Sequence, residues 1–182
     1  HLISLKPRTS SVWNEKTYKV NERMTTFSYE AHVKYTGRNF AFAAKSLMAS
    51  CLDHTALIGG YGISSINPDN GEQEYTPFRH STSWVNFTYG TKWKGHFFAG
   101  YTKNMGTADA LASATKYGMG LDIDQVFSTN IAFSYNLPHW QIGMEYMPTT
   151  AWYGDTDRAS GKVVNTHSVT NHRILGLVMY YF

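Results

Sequence analysis

The sequence predicts an all-β fold: an antiparallel up-and-down transmembrane β-barrel, with short turns at one end and long loops at the other. Three observations lead there. Apolar and polar residues alternate with a period of two along most of the 182 residues. Aromatic residues make up 15% and charged residues only 16%, against about 25% charged in ordinary soluble domains, yet mean hydropathy is −0.36. Strands with one apolar face give that combination, and membrane helices do not. No run of about 20 apolar residues exists to form a spanning helix. The aromatic and β-branched content also argues against disorder.

The first crossing is predicted at 24–36, where Phe27, Tyr29, Ala31, Val33 and Tyr35 alternate with Ser28, Glu30, His32 and Lys34. A strand sends such residues to opposite faces. A turn at Gly37-Arg38-Asn39 leads into 39–49, with Phe40, Phe42 and Ala44 against Ala41, Ala43 and Lys45. Crossing 81–89 sets Val85, Phe87 and Tyr89 against Asn86 and Thr88. After Gly90-Thr91-Lys92, crossing 93–103 sets Trp93, Phe97, Ala99 and Tyr101 against Lys94, His96, Phe98 and Thr102. The run 117–135 is read as one long strand, with Asp122 and Asp124 on its polar face. Leu137-Pro138-His139 then leads to 140–152, where Trp140, Ile142, Met144 and Tyr146 oppose Gln141, Gly143 and Glu145. The last crossing is 169–182, and His1–Lys6 is a candidate eighth. Gly, Asn and Pro suit the tight turns. Longer polar stretches at 6–23, 49–80, 104–116 and 153–168 alternate with them, a pattern of up-and-down hairpins. Thr55 to Ile63 is read as part of the long loop, because a single added crossing would break the up-down parity.

A soluble sandwich also alternates. Here, however, the apolar face carries aromatics at the strand ends: Tyr35, Tyr89, Trp93, Tyr101, Tyr117, Tyr135, Trp140, Tyr146 and Tyr180. Membrane barrels place aromatic girdles at both interfaces. Several crossings also reach the roughly 9–11 residues that a tilted membrane strand needs.

The C-terminal run His172-Arg-Ile-Leu-Gly-Leu-Val-Met-Tyr-Tyr-Phe182 resembles the terminal strand of Gram-negative outer-membrane β-barrel proteins. Phe182, Tyr180, Val178 and Ile174 fit the pattern of apolar residues at alternate positions before a final Phe; Gly176 fits less well. The resemblance implies a bacterial outer-membrane location, with lipid and lipopolysaccharide around the wall. It implies that Ile174, Val178, Tyr180 and Phe182 form the assembly signal read by the barrel-insertion machinery. It also implies periplasmic short turns, extracellular long loops and, for porins of this type, a homotrimer. The chain then reads as an eight-stranded barrel or as the C-terminal part of a larger one, and small residues on the polar face (Ala41, Ala43, Gly118, Gly120, Ala132 and Gly143) suit the larger wall.

The expected function is that of a porin, with passive diffusion of small polar solutes and no bond chemistry. Candidate pore-lining residues are Glu30, His32, Lys34, Lys45, Lys94, His96, Asp122, Asp124, Glu145 and Arg173. Charges at mid-depth facing lipid cost about 2–4 kcal/mol, so these face water or one another. They either set the field of an aqueous lumen or form an ion-paired plug. Leu175, Leu177 and Met179 on the same face contact an infolded loop or a neighbouring subunit. The 49–80 segment either narrows the channel or stays outside. The alternatives are a closed eight-stranded structural or adhesin-type barrel acting through its loops and, more remotely, a barrel enzyme. His80-Ser81 and His167-Ser168 are adjacent in strand-like segments and so point to opposite faces, away from direct proton transfer. No cofactor or metal is expected: the eight His are dispersed, and no HxxxH or HExxH spacing occurs. A lone cysteine, Cys51, rules out an intrachain disulfide framework. The net charge of +3 comes from scattered Lys and Arg, which is no nucleic-acid footprint. The chain starts at His1 without a signal peptide, as a processed chain or a piece of a longer one does.

Overall fold

The computed structural model describes residues 1–51 and 58–182. Thr55, within the segment read as loop, lies outside the described residues. In chain order the strands are β1 (Leu2–Leu5), β2 (Ser10–Trp13), β3 (Lys16–Lys19), β4 (Met24–Phe27), β5 (Tyr29–Thr36), β6 (Phe40–Ser50), β7 (Gly59–Ile66) and β8 (Gln73–Pro77). There follow β9 (Arg79–Gly90), β10 (Trp93–Gly106), β11 (Lys116–Met119), β12 (Ile123–Asn136), β13 (Trp140–Thr156) and β14 (Val163–Tyr180). The all-β, antiparallel prediction holds, and the seven predicted crossings form one sheet in the order β5-β6-β9-β10-β12-β13-β14.

Register gathers the alternation onto two continuous faces. One row, each residue opposite the next, runs Tyr35, Phe42, Phe87, Phe97, Ile131, Tyr146, Ile174, one from every strand. The row beside it runs Thr36, Ala41, Thr88, His96, Ala132, Glu145, Leu175. A one-residue slip of any strand would exchange the two faces, so the pattern itself fixes the pairing.

The three tight turns lie at one end, as predicted. Gly37 N–H bonds to the Phe40 carbonyl at 2.8 Å, and Leu137 N–H to the Trp140 carbonyl at 2.7 Å. Neighbouring hairpins are laced together there: Gly90 N–H reaches Asn39 O at 2.7 Å, Asn136 N–H reaches Lys92 O at 2.8 Å, and Tyr181 N–H reaches His139 O at 2.8 Å. Gly90 has φ +108°, and a Cβ there would stand 1.9 Å from the Trp93 carbonyl oxygen, so this turn needs glycine. Aromatic pairs mark the same level on the apolar face. Ring centroids are 5.4 Å apart for Tyr35–Phe40, 4.5 Å for Trp93–Tyr135 and 4.8 Å for Trp140–Tyr180.

Four expectations are corrected. The seven strands do not close into a barrel among the described residues: β5 and β14 are the sheet's two ends. The segment 24–36 breaks at Ser28, and β1 pairs with β4 in a separate two-stranded sheet instead of joining the seven. The run 117–135 is two strands, because Gly120 at φ +62° opens a turn closed by the Ile123 N–H to Gly120 O bond of 3.1 Å. Gly118 and Gly120 therefore serve backbone geometry and not a spacious lumen. β11 meets β7 at Gly60 and Gly118, where an added Cβ would come 2.0 Å from Tyr117 O and 2.1 Å from Gly59 O respectively. Finally, the 49–80 segment carries strands of its own: β7 and β8 form a three-stranded sheet with β11.

That second sheet belongs to a built cap at the long-loop end. Its apolar cluster is Phe78, Leu111 and Leu121. Arg158 binds the Leu111 carbonyl at 3.1 Å through Nε and the Ala112 carbonyl at 2.5 Å through Nη2, and Arg79 Nη2 binds the Thr107 carbonyl at 3.0 Å. The predicted turn at Asn67–Gly71 is present, with Gly71 N–H on Asn67 O at 2.9 Å. The turn at Asp157–Gly161 also forms, and there the Ser160 hydroxyl and the Ala159 N–H hold the Asp157 carboxyl below its usual range.

Buried apolar residues (Val20, Met24, Ala49, Cys51, Ile63, Phe78, Leu111, Leu121 and Val163) lie in the cap or where strands enter it. The body of the large sheet supplies none of them. A compact globular chain of 20.6 kDa exposes about 8,900 Å²; this one exposes 11336 Å².

Candidate functional site

The polar face of the sheet is the more sheltered one. Along β10 the odd positions Trp93, Phe97 and Tyr101 are exposed, whereas Lys94, His96, Phe98 and Thr102 are half-buried. Alternation puts these two sets on opposite faces, and the register carries each face across all seven strands.

Of the ten predicted lining residues, the structure joins five into two ion-paired groups. Lys45 Nζ lies 2.5 Å from Glu30 Oε2, and His32 Nδ1 lies 3.7 Å from Glu30 Oε1. The cause is register, since His32 stands opposite Lys45. On the far side of the sheet, Arg173 Nη2 donates to Glu145 Oε1 at 2.5 Å. Asp124 pairs with Lys103 at 2.6 Å, near the cap. Both residues adjoin register shifts, at Asn104/Gly106 and at Ile123/Gln125. The simple odd-even count passed over Lys103 because such a shift changes which residues meet.

His96 Nδ1 lies 3.1 Å from the Thr88 hydroxyl of the next strand. Lys34 stands opposite Ala43 and Lys94 opposite Ser134, and among the described residues neither lies within ion-pair distance of a carboxylate. Asp122 does not belong to this face. It sits in the turn before β12, where its carbonyl accepts the Gly154 N–H at 2.9 Å, so the expected Asp122/Asp124 pair on one strand face does not form. No group of His, Cys, Asp and Glu among the described residues is arranged to hold a metal ion.

Between these groups the polar face carries a depression of about 450 Å³. Asn86, His96, Phe98, Asn130, Gln141 and Glu145 line it, and Leu175 and Leu177 form one wall. Small residues open it: Ala132 and Gly143 also line it and stand opposite His96 and Ser134. Leu175, Leu177 and Met179 are 47%, 41% and 38% exposed, so among the described residues no infolded loop covers them.

Sequence reasoning missed an aromatic pair on this polar face. Trp84 and Phe98 stand with ring centroids 6.2 Å apart, tilted by 35°. Trp84 falls at an even position among polar neighbours, out of phase with Val85 and Phe87, and that phase was the available signal.

Ile174, Val178 and Tyr180 share the apolar face with Tyr146, Ile142 and Trp140, their cross-strand neighbours on β13, and Phe182 lies just past the last strand with its ring 5.2 Å from that of Tyr180. No protein-family model, curated protein or solved structure matches this sequence.

Proposed function

We propose that this chain forms wall and loops of a porin-like β-barrel in a bacterial outer membrane, through which small polar solutes diffuse passively. One observation carries the reading. Among the described residues the large sheet is covered on neither face, and one face is a continuous apolar surface with Ile174 73%, Trp93 69%, Met144 65% and Phe133 64% exposed. Soluble monomers rarely expose apolar patches beyond a few hundred Å². Lipid satisfies such a face, and water satisfies the other.

Dimensions support it. Trp93 at the turn end and Tyr101 further along β10 are eight residues apart, about 27 Å along the strand. With a tilt of 35–45° that spans much of the roughly 25 Å apolar band of known membrane barrels. Tyr101 and Tyr146 hold polar partners: Tyr101 Oη donates to Gln125 Oε1 at 2.6 Å, and Tyr146 Oη lies 2.8 Å from His172 Nδ1. Aromatic residues with one polar end suit an interface.

Parity bears on closure. With seven antiparallel neighbours, β5 and β14 run in the same direction. Antiparallel closure therefore takes an odd number of further strands, and β1, antiparallel to β4, runs in the direction that such a strand requires. The ion pairs leave a weak mixed field on the water side, which suits a channel sorting mainly by size. The surrounding lipid and lipopolysaccharide, the insertion machinery acting on Ile174, Val178, Tyr180 and Phe182, and a homotrimeric assembly are part of this proposal.

A second reading draws on the cap, whose loops are tied by many hydrogen bonds: a closed barrel that presents its cap to an external partner. Planar-bilayer recording separates the two. Steady open-channel steps are expected, and a correctly inserted protein that never conducts would leave the loop-acting barrel.

A further inference from the structure

We propose that the depression beside Phe98 is a subsite for a neutral saccharide, a deepening that rests on the porin-like reading. On a face of amides, hydroxyls, small residues and charged groups, with leucines along its β14 edge, Trp84 and Phe98 place two large rings side by side. They do not fill a core, because both remain partly exposed.

The backbone makes room for one of them. A Cβ at Gly100 would stand 2.9 Å from Phe98 Cζ and 3.1 Å from Cε1, so the Phe98 ring lies over Gly100, against the sheet. Side-chain amides flank the ring. Asn86 is opposite Phe98 on one side and Asn130 on the other. Gln141 completes an amide group around the depression, whose volume of about 450 Å³ falls within the usual range for small-molecule sites.

The chemistry of this set selects its ligand. Amides donate and accept at once, which matches hydroxyl groups that also do both. A flat aromatic ring offers an apolar, electron-rich face to the C–H side of a sugar ring. The carboxylate in the depression, Glu145, is held by Arg173 at 2.5 Å, so it is not free to attract a cation. A polyhydroxylated, uncharged ring compound uses all of these features, whereas a simple cation or anion uses few.

Saturation-transfer NMR on the detergent-solubilised protein tests this, with cellobiose and maltose as probes and glutamate and lysine as charged controls. Transfer to the sugar ring protons at millimolar concentration is expected, with little to either amino acid. Phe98→Ala should weaken binding at least tenfold. Phe98→Leu, which keeps apolar volume but loses the flat ring, should weaken it similarly while keeping the wild-type circular dichroism. No transfer to either sugar in the wild type, or binding unchanged in Phe98→Leu, would overturn the subsite whatever the conductance. Sugar transfer without any channel activity would overturn the pore and leave the subsite standing.

Discussion

Replacing Phe87 with arginine is expected, on the proposed membrane reading, to lower the stability of the protein folded in lipid vesicles by about 2–4 kcal/mol, the cost known for a cation at mid-depth on the lipid face of membrane barrels. Phe87 lies in the central apolar row, opposite Phe42 on one side and Phe97 on the other. The arginine can neither reach an interface easily nor find a carboxylate among these neighbours. Asn86→Arg, one residue earlier, puts the same charge on the opposite face. There the change should stay near the ±0.5 kcal/mol or so typical of exposed positions. Urea unfolding in vesicles, followed by tryptophan fluorescence, reads both variants. Equal effects at the two neighbours would mean that the faces do not differ in environment.

Phe78→Ala is expected to cost about 3–5 kcal/mol, but locally. Phe78 is fully buried with Leu111 and Leu121, and its N–H bonds to the Gly60 carbonyl at 2.9 Å. Its loss removes the centre of the cap, which joins β7, β8 and β11. The large sheet does not share that core, and its ladders continue without it. Hydrogen exchange should therefore show β7 amides losing protection by about two to three and a half orders of magnitude, at roughly tenfold per 1.4 kcal/mol, with β10 and β12 unchanged. Uniform loss across both sheets would mean that cap and sheet unfold as one unit, contrary to this division.

What was legible in the sequence follows from what a period of two can encode. It specifies which residues share a face, so the seven crossings, their order and the three tight turns could be read directly. Trp93 opposite Tyr135 and Trp140 opposite Tyr180 are the levels that the aromatic positions implied. It does not encode where backbone geometry interrupts a strand. The run 117–135 alternates without a gap, and only the φ of +62° at Gly120 divides it. Nor does it encode partners. β11 has the alternation of a wall strand but pairs with β7, because Gly60 and Gly118 permit a backbone approach that no larger residue allows. The loop segments looked structureless because their core is small and scattered through the chain: Phe78, Leu111 and Leu121 carry no local pattern.

The candidate site was legible in the same limited way. Glu30 with Lys45, and Glu145 with Arg173, lie on the face that alternation assigned, and register then brings them together. Asp122 was misplaced by the strand break, and Lys103 was overlooked beside a register shift. The depression itself depends on Gly143, Ala132 and the lie of the Phe98 ring over Gly100. Those are features of packing across four strands, which a one-dimensional pattern cannot contain.

Cysteine scanning along β10 distinguishes a wall with lipid on one face and water on the other from a sheet in uniform surroundings. Single cysteines from His96 to Thr102, in a Cys51→Ser background, would be placed in vesicles and treated with a membrane-impermeant maleimide. Labelling at positions 96, 98, 100 and 102, with protection at 97, 99 and 101, is the result this account predicts. Equal labelling of both sets would contradict a wall with lipid on one face and water on the other.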